Sequence, residues 1–244
     1  MTPPQLTAPV VAIEGIDGAG KNTLAAALTR ECAVRGLRVG RMAFPRYGEV
    51  HADLISDALH GRVTNLADSP YAMAALFALD RHAALGDLAE LARTHHLVLL
   101  DRWVASSAAF TAARLGGEAQ REAQREVQRE AQREAQLKHY EEAFDWVREL
   151  EFGRLGLPVP ALQLLLATET EVAASRAARR ESADASRVRD RYERDAGLQQ
   201  RTSDAYARLA DSGWGSPWRV VVGEPDVERL ADEMESLIGG ANRG

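Results

Sequence analysis

Residues 14–23 read Glu-Gly-Ile-Asp-Gly-Ala-Gly-Lys-Asn-Thr, a pattern built to hold phosphate. The spacing Gly15, four residues, Gly20, Lys21 fits the Walker A motif. In such a loop the backbone N–H groups of Gly15, Gly18, Ala19 and Gly20 cradle phosphate oxygens, and the Lys21 ammonium reaches the outer phosphates. Glycine lets the backbone turn tightly with no β-carbon in the way. The motif calls for Ser or Thr directly after the lysine, and this chain has Asn22, followed by Thr23. Leu97-Val98-Leu99-Leu100-Asp101-Arg102 carries a second signal. An apolar strand ending in aspartate is a Walker B element, whose carboxylate supports Mg²⁺ directly or through water. Arg102 can clamp a phosphate bidentately. Phe44-Pro45-Arg46-Tyr47 adds a cation and a phenol after a strand-stopping proline. A third cluster, Arg176 to Arg194, holds seven arginines interrupted by Ser182, Asp184 and Ser186. Alone it reads as a solvated basic surface. Beside a phosphate loop it reads as a mobile arginine lid over about 176–191 that neutralises a moving phosphoryl group.

These groups need a scaffold that brings them to one place. Five short apolar runs, Val10–Ile13, Val39–Phe44, Leu97–Leu100, Leu162–Ala167 and Trp218–Val222, alternate with helix-patterned stretches. That alternation predicts an α/β fold: a three-layer P-loop architecture with a parallel five-stranded sheet flanked by helices. Val220, Val221 and Val222 read as a strand buried on both faces. Sites in such sheets lie beyond the carboxyl ends of the strands, where the phosphate loop, 45–47 and 101–103 all fall. The 244 residues and 45% hydrophobic content suffice for a single domain spanning 1–244. The net charge of −6 argues against a nucleic-acid partner. No apolar run approaches the roughly 20 residues that span a bilayer, so no membrane partner is expected. The single cysteine, Cys32, forms no internal disulfide, and residues 1–9 lack a signal-peptide pattern. A cytoplasmic location follows as an expectation.

Residues 118–136 repeat Glu-Ala-Gln-Arg almost verbatim. A four-residue step advances a helix by about 400°, so the alanines spiral instead of forming a stripe. Glu118 and Arg121 attract, whereas Glu118 with Glu122 and Arg121 with Arg125 repel by similar amounts. All four residue types favour helix. The segment, about 117–136, reads as a solvated helical insertion, with a partner-binding arm as the alternative.

Taken as a set, these motifs resemble the thymidylate kinase family, over about Val10 to Val222 apart from the repeat. The resemblance rests on Gly15 to Lys21, Phe44 to Tyr47, Leu76-Phe77-Ala78-Leu79-Asp80-Arg81, Asp101 to Ser106, Tyr192-Glu193-Arg194-Asp195 and the Glu151 to Pro158 run. It is strongest toward the actinobacterial branch. It implies transfer of the ATP γ-phosphoryl group to dTMP with Mg²⁺, in dTTP synthesis, by a homodimer. Other readings are a kinase for another nucleoside monophosphate or deoxynucleoside, and a nucleotide-binding regulator without catalysis. The resemblance implies that Lys21, Asp17 and Arg102 act in catalysis. Gly18 stands where eukaryotic members place arginine, which shifts the catalytic charge to lid arginines, here among Arg176, Arg180 and Arg187. The ATP phosphates would meet Gly15, Gly18, Ala19, Gly20, Lys21, Asn22, Thr23 and Arg176. The dTMP contacts would be Asp17, Phe44, Arg46, Tyr47, Phe77, Arg81, Arg102, Ser106, Ser107, Phe110, Asp190, Tyr192 and Glu193. Within that set Phe77 would stack on thymine and Arg81 would bond O4. Magnesium would be held near Asp17, Asp101, Asp190 and Glu193. Three departures stand out. Asn22 replaces a hydroxyl metal ligand, although an amide oxygen can coordinate magnesium. Ser107 replaces an asparagine that contacts the base. Phe110 replaces a tyrosine beside the sugar.

Overall fold

The computed structural model describes residues 6–123, 129–183 and 190–241. Its centre is a five-stranded sheet, paired in parallel throughout, in the order β2-β3-β1-β4-β5. The strands are β1 Val10–Glu14, β2 Val39–Ala43, β3 Leu97–Asp101, β4 Leu162–Ala167 and β5 Trp218–Val222. Each begins where an apolar run predicted it. β1 is buried along its whole length, and β3 up to its last residue, because both have strands on either side and helices above and below.

Helix α1 (Lys21–Val34) covers one face together with the last helix, Val227–Ala241. Between β2 and β3 run α2 (Val50–Leu59), α3 (Thr64–Asp68), α4 (Pro70–Ala83) and α5 (Leu85–Thr94). α4 starts on a sequence-legible signal: Ser69 accepts a hydrogen bond from the Ala72 amide, and Pro70 fills the first helical position. After β3 come α6 (Val104–Ala123) and α7 (Arg129–Arg148), packed against each other, then a π-helical turn over Glu149–Arg154. α8 (Thr170–Ala183), α9 (Arg191–Arg194) and α10 (Ala196–Asp211) follow β4, and the last helix is α11. α5, α6 and α10 lie on the face opposite α1: Gly40 of β2 backs onto Leu91 and His95, and Glu14 of β1 meets Ser106 and Tyr206 on that same side.

The repeat is helical at both ends, in the last turns of α6 and the first of α7; residues 124–128 lie outside the described residues. The valine run of β5 differs from expectation. Val220 is 46% and Val222 76% exposed. β5 is the outer strand, with a neighbour on one side only. β-Branched residues suit any strand, so a valine run does not separate an edge from a centre.

The phosphate loop explains its own glycines. Gly18 has φ +81°, and a β-carbon there would stand 2.1 Å from the Ala173 carbonyl oxygen of α8. No side chain fits between loop and helix. Gly36 has a similar φ of +76° but open space around it. Gly36→Ala is therefore expected to cost only the left-handed backbone term, about 1–2 kcal/mol. Gly18→Ala adds a clash with backbone and should cost roughly 2–4 kcal/mol. Denaturant titration of both variants beside the wild type reads the difference, and equal losses would contradict the docking of α8 on the loop.

Candidate functional site

The carboxyl ends of β1, β2 and β3 open onto one cleft. Its rim carries Asp17, Arg102 and Asp190, and its apolar walls are Phe44, Phe77 and Phe110. Tyr47, Arg81, Ser106, Ser107 and Tyr192 also line it. Residues as far apart in sequence as Asp17 and Tyr192 thus meet in one cavity.

Arg102 sits just beyond β3 with φ +68°, the one non-glycine residue with positive φ among the described residues. Such a backbone costs energy and persists only where surrounding contacts hold it. Its amide donates to the Ile13 carbonyl at 3.0 Å. The guanidinium donates to the Gly15 carbonyl and to Ser106 Oγ, each at 3.2 Å, to Tyr206 Oη at 3.4 Å, and to Asp17. Beneath it lies the fully buried Glu14, which accepts from the Trp103 amide at 2.8 Å, Ser106 Oγ at 2.6 Å and Tyr206 Oη at 2.9 Å. Burial pushes the Glu14 carboxyl up, against the hydrogen bond from Ser106 and the charge of Arg102. Burial also acts to raise Asp17, but Arg102 and Lys21 outweigh it and hold that carboxyl below its usual value.

Lys21 opens α1 and turns its ammonium back on the loop, donating to the Gly15 and Ile16 carbonyls at 3.1 and 2.9 Å. Burial first, and then the Arg102 charge, bring it down to about 8, against the pull of Asp17, Asp101 and Glu14. Asp101 ends β3, takes no side-chain hydrogen bond among the described residues, and is felt by both Lys21 and Arg102.

Phe77 and Arg81 lie one turn apart on α4, and both reach the cleft. Arg81 is 1% exposed and meets Glu151, 0% exposed, in a two-pronged pair at 2.7 and 2.8 Å. The same nitrogen, Nη2, also donates to Ser107 Oγ. Nη1 makes no hydrogen bond among the described residues, so its donors are free for a ligand. Ser107 thus anchors Arg81, a role its asparagine counterpart did not suggest. Phe110 stacks on Tyr192 with centroids 5.9 Å apart, and Arg102 lies 5.4 Å over the Phe110 ring.

Not every expected residue reaches the cleft. Arg46 pairs through its guanidinium with Asp80 and Asp87, each at 3.1 Å, and is absent from the cavity lining. Glu193 is absent from the lining too. Its carboxylate takes Arg180 Nη2 at 2.7 Å and closes a capping box with Asp190 at the start of α9. Arg176 lies over the phosphate loop, 3.4 Å from the Ala19 carbonyl. Arg187 lies outside the described residues. Among the described residues no three His, Cys, Asp or Glu side chains converge as a metal cage. Magnesium usually takes one or two carboxylates plus substrate phosphates. Asp17, Asp101 and Asp190 fit that mode.

Sequence reading missed Glu151, Gln199 and Arg114. Gln199 of α10 donates to Asp17 Oδ2 at 3.0 Å and to the Tyr192 carbonyl at 2.9 Å, tying the loop to α9. Arg114 bonds Tyr192 Oη at 2.6 Å. Its spacing of seven and four from Ser107 and Phe110 was a legible helix-face signal. Gln199 had none; Glu151 opens the resembling 151–158 run, but its partner Arg81 is distant in sequence.

A phosphate loop at a parallel sheet, with a second, arginine-rimmed cleft beside it, defines a P-loop nucleotide phosphotransferase. The comparisons narrow this. The family model described as Thymidylate kinase matches residues 13–135. The thymidylate kinase of Mycobacterium tuberculosis (strain ATCC 25618 / H37Rv) is 47% identical over 223 residues, covering 91% of this chain and 95% of that protein. That of Xanthomonas oryzae pv. oryzae (strain PXO99A) is 38% identical over 105 residues, 43% of this chain and 44% of its own. The Candida albicans thymidylate kinase structure shares the fold at a TM-score of 0.65 and 21% identity, covering 98% of this chain and 94% of that one. The chain belongs to the thymidylate kinase family.

Two outcomes follow for the site. Glu151→Ala leaves a buried guanidinium unpaired and should cost about 3–5 kcal/mol, while replacing both Arg81 and Glu151 by Met should cost less. Urea titration of the three proteins checks this. Asp190 is raised to about 6, by burial first and then by Asp17. Its charged form therefore opposes folding, and this penalty grows as pH rises from about 4 through 6. Asp190→Asn keeps the cap. It should raise the melting temperature at pH 7.5 by a few degrees and leave it unchanged near pH 3.5.

Proposed function

We propose that this chain transfers the γ-phosphoryl group of ATP to dTMP, giving ADP and dTDP, as a step of dTTP synthesis. Family membership supports the reaction, and the cleft supports the substrate. The observation that carries the reading is Arg81. Its charge is fixed by Glu151, and its free Nη1 faces a cleft walled by Phe77. That arrangement suits a flat base with a carbonyl acceptor, stacked on Phe77 and hydrogen-bonded at O4.

The remaining roles follow from placement. Arg102 and Tyr47 would hold the acceptor phosphate at the rim, with Asp17 beside the sugar and metal. An acceptor phosphate can replace the Asp17 carboxylate on part of the Arg102 fork. The loop amides of Gly15 to Thr23 would cradle the ATP phosphates, with Lys21 turning from the Gly15 and Ile16 carbonyls onto phosphate oxygens. Arg176 and Arg180 on α8 would add charge beside the loop. Bound magnesium would neutralise phosphate charge as the γ-phosphoryl group moves. A dTMP phosphate oxygen forms the new P–O bond, and the bond to the ADP oxygen breaks. The acceptor is already an anion, so no general base is needed.

We also propose that the chain acts as a homodimer in the cytoplasm. Exposed Leu54 and Leu79, on the packed helices α2 and α4, support self-association. Cys32 is buried and unpaired, and no described helix is long and apolar enough to cross a membrane. Multi-angle light scattering tests the dimer.

The test of the reaction is ADP release across a panel of nucleoside monophosphates. dTMP should give the highest kcat/KM. A wild-type protein that binds ATP and dTMP but releases no ADP would leave only the regulator reading. Arg81→Lys keeps a cation for Glu151 but loses the fork. It should raise the KM for dTMP about tenfold, the scale of a charged hydrogen bond, with the melting temperature near wild type. An unchanged KM would remove Arg81 from base recognition.

A further inference from the structure

Asn22 stands where a phosphate loop usually carries the hydroxyl that ligates magnesium, and its side chain is already engaged. Its Oδ1 accepts a hydrogen bond from Arg41 Nη2 at 2.7 Å. Oδ1 is the only atom of Asn22's side chain that a magnesium ion could take. A guanidinium bonded to that oxygen and a divalent cation on the same oxygen would repel at close range. The position is therefore served by a cation of the protein itself.

We propose that Arg41 is a nucleotide-phosphate-binding residue, steadied beside the phosphate loop by Asn22. This inference rests on the phosphotransferase reading above and adds a residue that neither the motifs nor the resemblance assigned. Three observations carry it. First, Arg41 is on the correct side of the sheet. Its neighbour Gly40 backs onto α5, so Arg41 emerges on the face of α1, beside the helix N-terminus that opens the phosphate site. Second, its charge is uncommitted. Among the described residues Arg41 forms no ion pair, and its Nε and Nη1 make no hydrogen bond, whereas Arg35, Arg46, Arg81 and Arg102 are all matched to carboxylates. A merely structural arginine in the middle of an edge strand would gain by pairing with an acid; this one is held by a neutral amide. Third, both partners are exposed, so the fork remains open to solvent and to a ligand. A guanidinium matches phosphate oxygens in a planar, two-pronged geometry. The Asn22 amide nitrogen, also unbonded among the described residues, can donate alongside it.

The consequence is a change in where the positive charge comes from. In the ordinary loop the hydroxyl recruits a metal to the outer phosphates. Here Asn22 recruits Arg41, and magnesium is left to the carboxylate side of the site. Binding of ATP without metal should then depend on Arg41 more than it would in a loop with a hydroxyl.

Isothermal titration of the full chain with ATP, in EDTA and then in magnesium, tests this. Arg41→Gln retains a donor for Asn22 but removes the charge. It should weaken ATP binding in EDTA by about tenfold, the scale of a charged contact. dTMP binding, measured in the same protein, should stay within about twofold. Arg41→Lys should recover part of the loss. Asn22→Ala should weaken ATP binding in the same direction, and by less once Arg41 is already Gln. Asn22→Thr with Arg41→Gln should bind ATP more tightly in magnesium than in EDTA, by a larger factor than wild type. ATP affinity in EDTA unchanged in both Arg41→Gln and Arg41→Lys, with dTMP binding intact, would overturn the proposal. If wild type fails to bind dTMP or to release ADP, the reaction reading fails, while the ATP titrations still decide the role of Arg41.

Discussion

Glu14 ends the central strand as a carboxylate with no access to water, and the cost of burying it there organises the ends of three other segments. A buried carboxylate must be met by donors or give up its charge. The donors come from the residue after Arg102, from α6 through Ser106, and from α10 through Tyr206. Satisfying Glu14 thus places the start of α6 and the middle of α10 against the end of β1. The same hydroxyls then hold Arg102 at 3.2 and 3.4 Å, in a backbone conformation it would not adopt alone. Arg102, which lines the cleft, is thus aimed by a buried acid that does not line it.

Arg81 and Glu151 repeat this logic at the floor of the cleft. Nε and Nη2 are spent on Glu151, and Nη2 also on Ser107, which leaves Nη1 without a partner among the described residues. A charged pair this deep adds little net stability compared with apolar packing. Its value is orientation. Both arginines line the cleft, Arg102 bonded to Asp17 and Arg81 one turn from Phe77 on α4.

Several cations of the site are held by the protein's own acceptors. Lys21 is folded onto loop carbonyls, Arg102 onto Asp17, and Arg180 onto Glu193. On the proposed reading, phosphate groups would compete for these cations and exchange internal contacts for stronger charge-assisted ones. Arg41 has no carboxylate partner among the described residues; its Nη2 donates to the neutral amide of Asn22.

Local pattern was enough to determine the five strands, the phosphate loop, the strand-end Asp101-Arg102 step and the one-turn spacing of Phe77 and Arg81. These depend on residues within a few positions of one another, where periodicity and backbone sterics act directly. The fold class followed, since strands alternating with helices have few ways to pack. Tertiary structure alone decided which charges meet. Glu151 on Arg81, Gln199 on Asp17 and Arg41 on Asn22 join segments far apart in the chain, and no local spacing encodes them. Arg46 is a like case: its motif offered it a phosphate, while its pairing with Asp80 and Asp87 joins segments that no local spacing links. The exposed valines of β5 were misread for a related reason, because strand order is set by crossover connections and not by the residues of the strand itself.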